Sequence, residues 1–196
     1  MTKLLVQICA LAFAGLMFIG CGVRSIPMSK NEVESKLAEV TNQYKRRADL
    51  IPNLVNTVKG YAKHEKDTLQ AVVEARAKAT NTTIDPSKVT AAQLKNFQQA
   101  QGSLSQALGR LMVVVEKYPN LKADKNFRDL QAQLEGTENR ITVARQRYIE
   151  SIKGFNNLVT VFPTNITNSL FFKYEKMPQW DVAAGEKVDQ APKVSF

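Results

Sequence analysis

The chain has 196 residues and a formal net charge of +9, with 44% hydrophobic and 23% charged residues. That balance excludes global disorder and leaves room for one sizeable domain plus a targeting segment. No lysine or arginine cluster is interleaved with aromatics as in a base-stacking platform. The excess charge therefore points to solvated helix faces or an anionic envelope surface, not to nucleic acid.

The N-terminus reads as a membrane-targeting segment. Met1 to Lys3 is a short basic region, and Leu4 to Phe18 is apolar apart from Gln7. Phe18-Ile-Gly-Cys21 resembles a bacterial lipoprotein signal, in which Cys21 is lipidated. Gly22 after the cysteine favours an outer-membrane lipoprotein facing the periplasm. The rival is an uncleaved single-pass inner-membrane anchor, because Leu4 to Val23 is about the 20 residues that span a bilayer. Cys9 and Cys21 both fall in this segment, so the body has no disulfide framework and no cysteine metal site. The expected organisation is anchor at 1–21, tether at 22–28, helical bundle at 29–174 and a flexible tail at 175–196.

Ser29-Lys-Asn-Glu32 fits a capping box that would start the first helix. Val33, Leu37, Val40, Tyr44, Ala48, Ile51, Val55, Val58 and Ala62 then recur in steps of three and four, which predicts one buried face. The same phase continues through Leu69, Val72 and Ala79, with Glu65 and Arg76 as polar members. This leaves a hairpin turning near Gly60 to His64, or one kinked helix to about Ala79. Thr80 to Lys88 is a loop rich in turn formers, and Thr90-Ala-Ala-Gln93 is a second capping box.

Leu94, Phe97, Gln101, Leu104, Leu108, Leu111, Val115 and Tyr118 follow heptad, coiled-coil spacing up to Pro119. Asp124 is the expected cap of the last long helix. Its stripe is Phe127, Leu130, Leu134, Thr137, Ile141, Ala144, Tyr148, Ile152, Phe155, Val159 and Phe162, about 54 Å of helix ending at Pro163. Thr164 to Tyr174 is a short helix or extended arm, with Leu170, Phe171 and Phe172 expected to dock on the bundle or a partner. The fold class is all-α: an elongated antiparallel bundle of three or four long helices behind the membrane-targeting segment.

Catalytic chemistry finds no foothold in the pattern. The one histidine, His64, reads as a surface or capping residue beside Glu65. No Glu-x-x-His pair, G-x-S-x-G elbow, P-loop or G-x-G-x-x-G occurs. The expectation is a protein with no enzyme activity, cofactor, metal or small-molecule substrate. Polar residues near the core are the better signal. Arg46, Arg47, Asp49, Asn53 and Asn56 lie within three turns, while Glu138, Asn139, Arg140 and Arg145 lie on the last helix. They suggest an interhelical network that fixes register, or a polar groove for a partner. Pro52 is the expected kink, since it leaves the Ala48 carbonyl without its helical donor; Asn56 is near enough to replace it.

These stretches resemble the LemA family. The resemblance rests on Tyr44-Lys-Arg-Arg-Ala-Asp-Leu-Ile-Pro-Asn-Leu-Val55, on Val58-Lys-Gly-Tyr-Ala-Lys-His-Glu65, and on Leu134-Glu-Gly-Thr-Glu-Asn-Arg-Ile141 with Ala144-Arg-Gln-Arg-Tyr148. Tyr118-Pro-Asn-Leu-Lys122 and Phe155-Asn156 through Phe162-Pro163 agree as well, so it covers about Ser29 to Leu170. Ile149 stands where the family usually has asparagine, and Phe171-Phe172 replaces a usual glycine-phenylalanine. The resemblance implies a membrane-anchored helical bundle of the bacterial envelope without an established activity. The expected role is a scaffold or adaptor for other envelope proteins. The alternative is a basic module binding anionic lipid headgroups or an envelope polymer.

Overall fold

The computed structural model describes the backbone of residues 2–180 and the side chains of residues 22–180. Helices α1 (Thr2–Tyr61), α2 (Lys66–Asn81), α3 (Ala91–Val115), α4 (Pro119–Ala123), α5 (Lys125–Thr160) and α6 (Thr164–Thr167) follow in order. Helix α6 runs into a π-turn at Asn168–Phe172, and no strand occurs among the described residues. The side chains on which both anchor readings rest, Cys21 included, lie outside the described set. No helix among the described residues is long and apolar enough to cross a membrane.

The chain divides into two compact units. The first comprises Met1–Val40, Pro86–Lys88 and Thr142–Gln179; the second comprises Thr41–Asp85, Val89–Ile141 and Trp180–Phe196.

In the first unit the expected tether at 22–28 and the helix start at Ser29 are both corrected. Helix α1 passes through them without a break. Pro27 removes one helical hydrogen bond, but Ile26 is fully buried in phase with Val33, Leu37 and Val40. Gly22 is buried as well, and a Cβ there would lie 2.7 Å from the Thr167 Cβ. Burial of that continued stripe outweighs the local stop signals.

Helix α5 buries Ala144, Tyr148, Ile152, Phe155 and Val159 in this unit. It ends at Thr160, earlier than Pro163, so Phe162 leaves the stripe and is exposed. The Phe162–Pro163 peptide is cis. Beyond it, two buried asparagines hold an extended arm. The Asn156 amide donates to the Met177 carbonyl (3.2 Å) and accepts from the Met177 N–H (2.9 Å). Asn168 does the same with Tyr174, at 2.9 and 3.0 Å. The expected flexible tail from 175 is therefore tied down through Met177, because each asparagine satisfies both backbone groups of one arm residue.

Burial pushes the Tyr148 hydroxyl up to about 12 from its usual 10. A raised folded-state value means that its contribution is complete below pH 10 and is lost as the pH climbs towards 12. Thermal unfolding followed at pH 9 and pH 11 should show the wild type losing more stability between the two than Tyr148→Phe. Equal losses would mean that Tyr148 does not couple folding to pH.

The second unit resolves the hairpin question. Helix α1 ends at Tyr61, the chain turns over Ala62 to Glu65, and α2 runs back along α1. Ile51, Leu54 and Val58 of α1 pack with Leu69 and Val72 of α2, Leu104 and Leu111 of α3, and Leu121 and Phe127 beyond. His64 is an exposed turn residue. The Thr90–Gln93 capping box is formed at the start of α3. Pro119 starts the short helix α4, a position where its missing N–H costs nothing. Asp124 caps α5 by accepting from the Phe127 N–H at 2.9 Å. That bond, with the Tyr61 hydroxyl on its other oxygen, holds the Asp124 carboxyl below its usual value.

Candidate functional site

Arg47 lies on the buried face of α1, one turn below Tyr44, and is 2% exposed. An unpaired guanidinium could not stay there. Its Nη1 donates to Ser105 Oγ and to Glu138 Oε2, both at 2.9 Å. Its Nη2 donates to Gln101 Oε1 at 2.9 Å and to the Gln101 carbonyl at 3.2 Å. Gln101 Nε2 in turn donates to the Ala79 carbonyl at 3.3 Å. One side chain thus links α1 to α3 and α5 directly, and to α2 through Gln101. The planar fork of arginine makes these parallel contacts, which a lysine could not.

An aromatic cluster covers one side of this network. The Arg47 guanidinium lies 5.0 Å from the Tyr44 ring centroid. Tyr44 meets Phe97 edge-on at 5.2 Å, and Trp180 stacks on Tyr44 at 6.4 Å. On another side a groove of about 310 Å³ opens between α3 and α5. Leu108, Met112 and Leu134 line it, with Arg47, Glu135 and Glu138 at its polar edge. Gly109 also lines it, and a Cβ there would meet nothing within 4 Å.

Of the sequence-predicted site residues, the structure brings Arg47 and Glu138 together. Arg46, Asp49, Asn53 and Asn56 are solvent-facing on α1, as are Asn139 and Arg140 on α5. Arg145 is half-buried, and the cross-helix ion pair nearby uses Arg147 instead, 2.9 Å from Glu39. Among the described residues no cluster of three or more His, Cys, Asp or Glu could hold a metal ion.

Gln101, Ser105 and Arg76 complete the polar core. Arg76 Nε donates to the Ala48 carbonyl at 2.8 Å, the group that Pro52 strips of its helical donor. Asn56, a candidate donor by its position in the sequence, faces solvent, and α1 remains one continuous helix across Pro52. Replacing Arg76 with methionine orphans a carbonyl on a buried residue and should cost about 1–2 kcal/mol. In a Pro52→Ala background the helix supplies its own donor, so that cost should fall by at least half. Additive losses in denaturant titrations of the four variants would show that Arg76 does not serve this carbonyl.

The LemA family profile matches residues 36–196, a span that holds α1 from Lys36 onward and every later helix. The chain belongs to the LemA family. It is similar to Protein LemA of Metamycoplasma hominis, with 24% identity over 164 residues, covering 80% of this chain and 71% of that protein. It is also similar to Magnetosome protein MamQ 2 of Paramagnetospirillum magneticum, with 35% identity over 66 residues. That match covers 34% of this chain and 24% of the relative. Magnetosome protein MamQ of Magnetospirillum gryphiswaldense matches at 33% over 64 residues, again covering 24% of its length. The chain therefore spans about a quarter of the MamQ proteins. Within this LemA-family chain, the block Tyr44–Val55 on which the resemblance rested supplies Tyr44, Arg47 and Ala48 to the polar core.

Proposed function

We propose that this chain is a membrane-tethered, non-catalytic adaptor of the bacterial envelope, and that the α3–α5 groove docks one helix of a protein partner. Family membership supports the envelope setting, and the apolar N-terminal segment supports the tether. The groove carries the docking reading. Its apolar lining of Leu108, Met112 and Leu134 suits the nonpolar stripe of an amphipathic helix. Glu135 and Glu138 at the edge select a helix with flanking lysine or arginine. Gly109 leaves the backbone approachable from that side.

In-cell crosslinking followed by mass spectrometry should recover the same envelope proteins reproducibly from the wild type. Gly109→Leu fills the groove from open space and leaves the melting temperature unchanged or slightly raised, because glycine is unfavourable within a helix. It should lose those partners. Recovery of no reproducible protein, or of the same set with Gly109→Leu, would sink the docking reading.

The charge of +9 favours a second reading, a surface for anionic headgroups or an acidic envelope polymer. The two readings separate on ionic strength. Headgroup binding weakens strongly between low and physiological salt, whereas an apolar helix-in-groove contact does not.

A further inference from the structure

The stretch from Gly154 to Phe172 contains no charged residue, although 23% of the chain is charged. Its first part is helix α5 and is largely buried; its last part is not. Phe162 is 67% exposed, Leu170 and Phe171 are 61% exposed, and Ile166 is 45% exposed. Four large apolar side chains in ten residues thus face solvent, where docking on the bundle or a partner was expected for Leu170 and Phe171. Only Phe172 of that group is half-buried, stacked on Tyr174 at 5.5 Å. The opposite side of the turn is firmly seated. Thr167 and Asn168 are buried, and Asn168 clamps Tyr174 through both of its amide atoms. Lys173 closes the π-turn with a positive φ of 54°, its N–H donating to the Asn168 carbonyl. A rigid turn presenting a bare apolar tip is built to be covered.

The position of the tip says by what. Gly22 packs against Thr167, the residue after Ile166, so closely that a Cβ would collide. The helix that carries the apolar run Leu4 to Phe18 therefore meets the folded unit at the seated side of the same short turn that presents the tip. Exposed Lys173 directly follows the patch in the chain, and exposed Arg24 lies two residues past Gly22 on α1; both are cationic side chains of the kind that meet anionic headgroups. We propose that Phe162, Ile166, Leu170 and Phe171 insert into the lipid interface beside the N-terminal anchor, making a second, shallow membrane contact. This rests on the membrane tether proposed above and is independent of the adaptor role. Two contacts on one unit fix its orientation at the membrane, as two modest signals anchor better than one.

The test uses the full chain reconstituted in vesicles of mixed zwitterionic and anionic lipid. The single tryptophan, Trp180, is replaced by phenylalanine, and a reporter is placed by Phe171→Trp or, in a second variant, Leu170→Trp. Val143→Trp, an exposed position about 25 Å further along α5, is the control. Lipids brominated in the upper acyl chain should quench the tip reporters at least twofold more than the control. A water-like emission without bromine quenching would overturn the proposal and leave the tether standing. A blue-shifted tip shielded from acrylamide but unquenched by bromine would overturn it too, because a second copy or another protein segment then covers the patch. Failure of the chain to float with vesicles would overturn the tether and the tip together.

Discussion

Replacing Arg47 with alanine should destabilise the protein by about 2–4 kcal/mol, because it takes the donor from the buried Gln101 amide oxygen and breaks the pair with Glu138. The carbonyl and the amide oxygen of Gln101 both lose their guanidinium partner, and Gln101 is itself buried. Glu138 is half-exposed and regains water when the pair is broken, which keeps the loss below that of a fully dry ion pair. For a chain of this size the melting temperature should fall by roughly 5–15 °C. Arg47→Lys should recover only part of it, since a single ammonium cannot reach acceptors on α3 and α5 together. Alanine at Arg46, Asp49 or Asn53 should change stability by no more than about 0.5 kcal/mol, because these side chains face solvent. Equal effects at Arg46 and Arg47 would contradict the assignment of Arg47 alone to the core.

Phe155→Ala should be comparably severe, at about 3–5 kcal/mol, and its effects should spread to the arm. The side chain is fully buried and lies 6.2 Å from the Tyr174 ring, and its neighbour Asn156 holds Met177. Emptying that site removes the surface on which residues 174–177 rest. Hydrogen exchange should show the Tyr174 and Met177 amides losing protection well before those in the middle of α5. Retained protection at both amides would mean that the two asparagines hold the arm without the phenylalanine.

Much of the fold was legible because helix stripes depend only on the spacing of apolar residues. Every position from Val33 to Ala62 assigned to the buried face is buried. The polar members of the stripes carried the site. Gln101 and Arg76 bond across helices to Arg47 and Ala48, and Glu65 accepts from the Tyr118 hydroxyl at 3.0 Å. A polar residue in phase with a core stripe signals a partner on another helix. Its identity cannot be read from spacing, because the partner lies far along the chain.

The misreadings share a different cause. Ser29 and Pro27 look like a helix boundary locally, but burial of Gly22 and Ile26 carries α1 past them. Asn53 and Asn56 are close in sequence to Arg47 yet point away from it, since the two faces of one helix share the same dozen residues. Leu170 and Phe171 were expected to dock on the bundle or a partner; they do not dock on the bundle, and nothing in their spacing foretold a rigid π-turn holding them out.

The Tyr44–Val55 block packs the core through Tyr44, Arg47 and Ala48, and the groove proposed to dock a partner lies beside it, on α3 and α5. The most direct measurement places a photo-crosslinking amino acid at Met112, in the groove, and at Val113, its exposed neighbour on α3. Illumination of cells carrying the full chain should give a discrete protein adduct from position 112, absent from position 113 and lost with Gly109→Leu. Equal adducts at both positions, or none at 112, would contradict an adaptor that works through this groove.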